Sequence, residues 1–429
     1  MIRQYLIQIR ERGECAIVFD PDCEYVAEFH REGDTVLNPL DNRVPYWAIE
    51  EEAETAAEAV PIAEALWPDE PNQQPFFKKQ TRGIFAHLIG EYNRPKCPDD
   101  PATCEALARW LAFPQIEVAR RIAGTRFAVS TDPKAKDQSQ GLWATLGEVA
   151  TPLEMMPSAD ERRPKFTVRE WVRTRPGWIF ITSTPDTLAA VRPLQTAWLD
   201  MLILGLMTVG KDATLARVWL VLDEVASLRA LPNLIEALTR QRKSDNPIIL
   251  GFQGMGQLDF TYGKSKAEVI ASQAYTNIVM RTGEQRAAEH SAGIIGKAEI
   301  ERITESKPAH SFFGRSRSPN YSTQRVIEPA VLASEIQELP DLTAYFVQQG
   351  WTAKIRIAPT PKVVRAPKLI ERRMPERRMD APEPEAPPVQ RPKRKRPRGC
   401  VVPMRGYKRP HVPLADEEPA PAEMFNDEA

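Results

Sequence analysis

Cysteine is scarce and badly placed for cross-linking. Cys15, Cys23, Cys97, Cys104 and Cys400 are odd in number and none sits at zinc-finger spacing. A disulfide framework is therefore excluded, and a reducing setting fits best. Histidine is equally sparse. His30, His87, His290, His310 and His411 form no ligand-spaced cluster, so no structural metal is expected. An excess of one charge is missing too, with 57 basic residues against 58 acidic ones. That balance excludes a global basic field, and any contact with nucleic acid has to come from local patches. Long apolar runs are absent. The most apolar stretch, Met201–Gly210, is bracketed by Asp200 and Lys211, whereas a bilayer span takes about 20 such residues. Arg3, Arg10, Glu11 and Arg12 interrupt the opening residues, so no signal peptide is expected there.

What is present is a 429-residue chain that is 42% apolar, enough for one large or two medium cores. Many of its 39 prolines lie past residue 358, a skew that predicts a disordered end. Residues 1–12 read as the end of a helix with Ile2, Leu6 and Ile9 on one face, closed by Gly13. Cys15–Phe19 reads as a buried strand, Asp20–Asp22 as a turn and Thr35–Asn38 as a short strand. Between residues 52 and 150 alanine, glutamate and arginine dominate, with apolar positions at helical spacing such as Leu107, Trp110 and Leu111. This predicts an all-helical insert, with a polar loop over Lys134–Gln140. The α/β texture then returns. Strands are expected at Trp178–Thr182, Val218–Leu222, Pro247–Phe252 and Asn277–Arg281, and helices from Pro185 to about Met207 and at Leu231–Arg242, Lys266–Gln273 and Glu284–Ile295. Such alternation implies a parallel sheet covered on both faces. A short helix at Glu328–Glu338 and a hairpin of Thr343–Gln348 with Thr352–Ile357 around Gly350 follow. After Pro359 order is expected to fade, into a tail with the basic run Lys393–Arg396 and an acidic finish from Asp416 to Glu428.

The strongest chemical signal is Val218-Trp-Leu-Val-Leu-Asp223-Glu224, an apolar strand that ends in two carboxylates. Ligands of open parallel sheets bind outside the carboxyl ends of the strands. Asp223 is placed there to hold Mg²⁺, directly or through water, and Glu224 to polarise an attacking water. The same letters also describe a strand that simply ends in solvated acids. Gln253 tips the next strand, where an amide senses a γ-phosphate or caps a helix. Arg242 ends the intervening helix, where a cation reaches a neighbouring subunit's phosphate or complements the helix dipole.

Taken together, Asp223-Glu-Val-Ala-Ser-Leu228, Leu238-Thr-Arg-Gln-Arg-Lys243, Gly251-Phe-Gln-Gly-Met-Gly-Gln-Leu258 and Tyr262-Gly263 resemble the RecA-like motor core of TraD/TrwB-type conjugative coupling proteins. Phe19-Asp-Pro-Asp-Cys-Glu-Tyr25, Leu37-Asn-Pro-Leu-Asp-Asn-Arg43 and Leu339-Pro-Asp-Leu-Thr-Ala-Tyr345 resemble further segments of that core. The likeness covers about residues 1–358. It implies an α/β fold of the RecA-like P-loop NTPase kind, with an inserted all-helical domain and a disordered tail. The expected division is residues 1–51 and 166–358 for the two parts of the motor, 52–165 for the insert and 359–429 for the tail. By position, Asp223 and Glu224 become the Walker B pair, Asp223 on Mg²⁺, Arg242 a finger acting in trans and Gln253 the sensing glutamine. The resemblance also implies ATP and Mg²⁺ as cofactors, hexameric rings, and single-stranded or duplex DNA as cargo. The implied partners are a relaxase with its relaxosome and a type IV secretion channel, at the cytoplasmic face of the bacterial inner membrane.

One part of the pattern is missing. A phosphate-gripping Gly-x-x-x-x-Gly-Lys-Ser/Thr occurs nowhere in the 429 residues. Gly263-Lys-Ser265 has Leu258 five positions before its glycine, and Gly296-Lys297 is followed by Ala298. The family carries that loop just before the helix placed at residues 1–12, and its membrane anchor further upstream. A truncated product is therefore expected, one that binds ATP weakly; the other account is a non-catalytic adaptor for DNA or relaxosome proteins. A related FtsK/HerA-like motor is a third reading, disfavoured by the long helical insert. Lesser candidates for DNA contact are Lys264, Lys266 and Arg281 around a pore, and Lys78, Lys79, Arg82, Arg120 and Arg121 on the insert, all of which equally suit solvated surface. The Lys393–Arg398 run suits phosphate or acidic lipid, and the acidic end with Phe425 a relaxosome partner.

Overall fold

The computed structural model describes residues 1–71, 75–131, 136–306 and 320–375. Helix α1 (Ile2–Glu11) turns Leu6 and Ile9 inward, and Gly13 closes it at φ +68°, the left-handed region that glycine enters freely. Strand β1 (Cys15–Asp20) is buried along its whole length. Its last residue, Asp20, accepts the backbone N–H groups of Glu24 and Val26 and so starts helix α2 (Glu24–Phe29). Strands β2 (Thr35–Leu37) and β3 (Tyr46–Trp47) follow.

The helical layer comprises α3 (Ala56–Leu66), α4 (Pro75–Glu91), α5 (Cys104–Ala112), α6 (Glu117–Ile122), α7 (Lys136–Gly147) and α8 (Ala150–Glu154). Thr55 and Thr103 cap α3 and α5 by accepting the N–H groups of Glu58 and Ala106. The chain re-enters the α/β layer through β4 (Lys165–Phe166), which pairs in parallel with β3 and brings the two ends of the helical layer together. The helical layer and the α/β layer share one apolar core. Trp47 and Trp198 meet edge to face across the junction at 5.6 Å, a contact worth about 1 kcal/mol beyond area burial.

The α/β layer resumes with α9 (Val168–Thr174), β5 (Ile179–Thr182), α10 (Leu188–Val209), β6 (Val218–Leu222), α11 (Leu234–Ser244), β7 (Ile248–Leu250), α12 (Met255–Tyr262), α13 (Lys264–Ser272), β8 (Thr276–Val279) and α14 (Gln285–Ile295). A five-stranded sheet in the order β2-β5-β1-β6-β7 forms its centre, with every pair parallel. The apolar runs legible in the sequence are these strands, buried on both faces as a parallel sheet requires. Only β7, at one edge, is half-exposed along all three residues. Beyond it lie β9 (Lys297–Ser306) and β10 (Asn320–Pro329), α15 (Ala333–Gln337), and the hairpin β11 (Thr343–Gln348) with β12 (Trp351–Arg356). Gln349 and Gly350 both take positive φ at the hairpin tip, the two-residue turn that matches strand twist.

Several boundaries differ from expectation. Lys136–Gln140 is not loop but the start of α7, because Leu142 and Leu146 bury one turn further on and carry the helix back through it. Pro185 does not open α10. The Thr184 and Thr187 hydroxyls lie 2.7 Å apart and hold a turn there, so the helix begins at Leu188. Strand β8 does not join the parallel sheet but pairs antiparallel with β11. The ribbon of β9 with β10 was not foreseen, and Glu328, expected in a helix, belongs to it. Residues 359–375 are not loose. They run extended along the α/β layer, with the Arg365 and Ala366 N–H groups donating to the Ala27 carbonyl and that of Arg372 to the Leu40 carbonyl. Their apolar content is low, so only polar contacts made in three dimensions hold them. Residues 376–429, with the basic run and the acidic end, lie outside the described residues. Among the described residues no helix is long and apolar enough to cross a membrane.

Candidate functional site

Asp223 and Glu224 leave the carboxyl end of β6, at the edge of the sheet where ligands of parallel α/β folds bind. The chain turns sharply there. Glu224 adopts φ +60°, ψ +57°, a left-handed conformation that costs a non-glycine residue about 1 kcal/mol. Two backbone bonds to β7's outgoing chain hold the turn: Gly251 N–H donates to the Leu222 carbonyl at 2.8 Å and Val225 N–H to the Gly251 carbonyl at 3.0 Å. A side chain at position 251 would put its Cβ 3.0 Å from Asp223 Oδ1. Glycine at this strand end is thus what leaves room for the carboxylate.

Three of the four expected site residues come together here. Burial raises the Glu224 carboxyl above the ordinary range, the facing Gln253 amide partly offsets this, and the Asp223 charge adds to it. Glu224 Oε1 is buried without a hydrogen-bond partner, an arrangement suited to accepting from a small donor such as water. Asp223 is met from the opposite side by Tyr25, whose hydroxyl donates to Oδ2 at 2.6 Å. Burial, followed by this bond to a carboxylate, holds the Tyr25 phenol well above its usual value. The N-terminus of α1 lies within electrostatic reach of Asp223.

Arg242 lies in the last turn of α11, and its side chain lies outside what the structure describes. The opposite end of α11 is firmly placed. Asp200, buried in the middle of α10, accepts from the Asn233 backbone at 2.8 Å and from its side-chain amide at 2.7 Å.

Two residues escaped the sequence reading. Tyr25 was noted only within a motif, since nothing in a six-residue helix marks which side chain reaches a strand tip 198 positions away. Glu284 precedes α14 and accepts the Gly256 N–H at 3.3 Å, next to Gln253. A Cβ at Gly254 would collide with its carboxylate. The Gly-x-Gly spacing of 254–256 was the available signal.

Most of the lesser cationic candidates are engaged with partners in the chain itself. Lys78 is buried and donates to the Pro68 carbonyl. Arg82 binds the Trp67 carbonyl and Asp69, and Arg281 pairs with Asp341 at 2.8 Å. Arg121 stacks 3.8 Å over Trp110, between Asp100 and Glu117, and Arg120 also reaches Glu117. Lys79, Lys264 and Lys266 remain exposed. Among the described residues no cluster of three or more His, Cys, Asp or Glu stands ready to bind a metal. Mg²⁺ does not need one, because it takes one or two carboxylates and completes its shell with phosphate oxygens and water. The residues present fit the metal and water end of such a site, and no glycine-lysine phosphate cradle occurs in the chain.

A family model for the type IV secretion-system coupling protein DNA-binding domain matches residues 1–358. The chain belongs to this family. Coupling protein TraD of Escherichia coli (strain K12) is 29% identical over 385 residues, 87% of this chain and 52% of TraD. The chain thus spans about half the length of that curated relative. The bacterial conjugative coupling protein TrwB, in an unbound monoclinic form, superposes with a TM-score of 0.74 at 24% identity, over 87% of this chain and 84% of TrwB. TrwB in complex with ADP and Mg²⁺ gives 0.71 at 23% identity, over 86% and 84%. These superpositions establish that the coupling-protein fold is shared, the α/β sheet with its helices that the sequence foretold.

Proposed function

We propose that this coupling-protein chain is the water-activating half of an ATP-driven DNA motor that feeds a type IV secretion channel. The observation that carries the reading is the meeting of Asp223, Glu224 and Gln253 at one end of a parallel sheet, in a family whose domain is described as DNA-binding. Bound Mg²⁺·ATP would supply the electrophilic phosphorus and neutralise charge on the phosphates. Asp223 would hold the metal directly or through water, its Oδ2 steadied by Tyr25. Glu224 takes the proton of the attacking water; its raised pKa improves its strength as a base. Gln253 orients Glu224 and the water between them. Arg242, at the end of α11, acts on the nucleotide of a neighbouring subunit in a hexameric ring. TrwB, solved with ATP- and GTP-analogue ligands and with ADP and Mg²⁺, supports this choice of cofactor. The work belongs at the cytoplasmic face of the inner membrane, with a relaxase-bound strand as cargo. Binding of ATP by these 429 residues alone is weak in this reading, since no phosphate cradle occurs among them. That same observation favours the second reading, a non-catalytic adaptor for DNA or the relaxosome.

The test is to fuse a strand and Gly-x-x-x-x-Gly-Lys-Ser loop ahead of Met1 and assay DNA-stimulated ATP hydrolysis beside the parent chain. The motor reading expects an inert parent and an active fusion that loses at least about 100-fold in Glu224→Gln. A correctly folded fusion that binds DNA and nucleotide yet never turns over would support the adaptor. Turnover by the parent that Glu224→Gln abolishes would show that this half-site needs no added loop.

A further inference from the structure

Residues 359–375 touch the motor at two separated anchors. The first is on α1 and α2. Just ahead of the segment Gln4 donates to the Ala358 carbonyl at 2.8 Å; within it Lys362 pairs with Glu24 at 3.1 Å, and the N–H groups of Arg365 and Ala366 both donate to the Ala27 carbonyl. The second lies where the motor chain leaves for the helical layer. Asn42 N–H donates to the Ile370 carbonyl at 2.6 Å, Ile370 N–H to Asp41, and Arg43 to the Lys368 carbonyl. Arg372 then crosses into the helical layer. Its side chain is 1% exposed. It donates to the Pro39 carbonyl at 2.9 Å on the motor side, and to the Met155 carbonyl and both Glu161 oxygens beyond α8.

A buried guanidinium with this many acceptors is expensive to leave half-paired. The segment has no other reason to be ordered, because it is neither helical nor apolar, and only a bridge Asp41–Glu371 links it to a neighbour as a strand would. Its near anchor falls on α2, whose Tyr25 grips Asp223 Oδ2. Its far anchor falls on the insert.

We propose that residues 359–375 are a strap joining the helical layer to the nucleotide site, and that Tyr25 is the positioning residue through which the strap sets Asp223. Tension or release at Glu161–Arg372 passes along the extended backbone to Ala27, turns α2, and moves the Tyr25 hydroxyl on the carboxylate. The role given to Asp223 rests on the motor reading above; the mechanical link does not. A ligand that shifts the helical layer would in this way change how Asp223 faces its metal without touching the site.

The test uses the whole 429-residue chain and two variants. Arg372→Ala removes the side-chain bonds of the far anchor to Pro39, Met155 and Glu161, and Ala366→Pro removes one N–H from the near anchor. Amide hydrogen exchange is read on peptides from α2, residues 38–43 and residues 155–161. The ζ-carbon resonance of Tyr25, identified by its loss in Tyr25→Phe, is read alongside. The strap expects Arg372→Ala to speed α2 exchange by about tenfold and to shift the Tyr25 signal, although the bonds of Arg372 described above go to residues 39, 40, 155 and 161. Ala366→Pro should do the same while leaving 155–161 protected. If Arg372→Ala loosens only 38–43 and 155–161, with α2 and Tyr25 unmoved, the coupling is refuted. Should Arg372→Ala fail to fold, Glu161→Gln takes its place with the same expectation. Neither readout involves nucleotide, so a loop-bearing fusion that never hydrolyses ATP would sink the motor reading and leave the strap standing.

Discussion

Gly90 of α4 and Ala56 at the start of α3 are in such close contact that a Cβ added at position 90 would stand 2.2 Å from the Ala56 nitrogen. The neighbouring Cα and the Thr55 carbonyl carbon, at 2.5 and 2.8 Å, are backbone as well, so nothing flexible can yield. Replacing a helical glycine with alanine ordinarily gains up to about 1 kcal/mol. Here overpacking outweighs propensity, and Gly90→Ala should destabilise the chain by about 2–3 kcal/mol in urea unfolding. A neutral or stabilised variant would mean that α3 and α4 do not cross at this distance.

Arg120 and Arg121 are adjacent in sequence and opposite in environment. Arg121 is 4% exposed against 54% for Arg120. Arg121→Gln strips a buried cation from Asp100 and Glu117 and should cost about 3 kcal/mol, while Arg120→Gln should stay within about 0.5 kcal/mol. DNA affinity should follow neither. A folded Arg121→Gln chain of unchanged stability with reduced DNA binding would restore Arg121 as a nucleic-acid contact.

Glu52 is buried against Trp47, which donates to Oε1 at 2.8 Å, and against the N–H groups of Val168 and Arg169 at the start of α9. Burial pushes its pKa up to about 7, with those donors opposing the shift. The native state then holds a proton that the unfolded chain has already lost, so stability falls as pH rises from the ordinary Glu value to about 7 and stays level above it. The loss is of the order of ~3 kcal/mol, at ~1.4 per unit. Asp20, raised to about 7, and Asp200, raised to about 6, by burial act in the same direction. Unfolding free energy measured between about pH 5 and about pH 8 should decline, and Glu52→Gln should flatten part of the decline. An identical slope in both proteins would remove Glu52 from this account.

Lys264 and Lys266 open α13, are exposed, and have no ion-pair partner among the described residues. If they meet a DNA backbone, Lys264→Gln and Lys266→Gln should each weaken binding uniformly across sequences. Each should lower the slope of log affinity against log salt by about 1. Unchanged slopes in both would place DNA elsewhere on the motor.

Legibility followed sequence distance. Cys15–Asp20, Ile179–Thr182 and Val218–Leu222 were readable because a strand buried on both faces needs an unbroken apolar run. Asp223 and Glu224 were readable because they interrupt one. Tyr25 was not, since its role depends on β1 and β6 lying side by side. Arg372 was not either: it sits in a proline-rich, charged stretch whose composition resembles a tail, and its acceptors come from residues 39, 155 and 161.

By itself the chain's composition and periodicity determined an α/β fold interrupted by helices, and the strand tip where its carboxylates emerge, because hydrophobic spacing is a local property of a polymer. Tertiary structure alone decided which oxygen of Asp223 is held, which arginines are buried and where residues 359–375 lie. Those outcomes depend on polar groups finding partners hundreds of positions away, and no local pattern records which partner folding will bring within 3 Å.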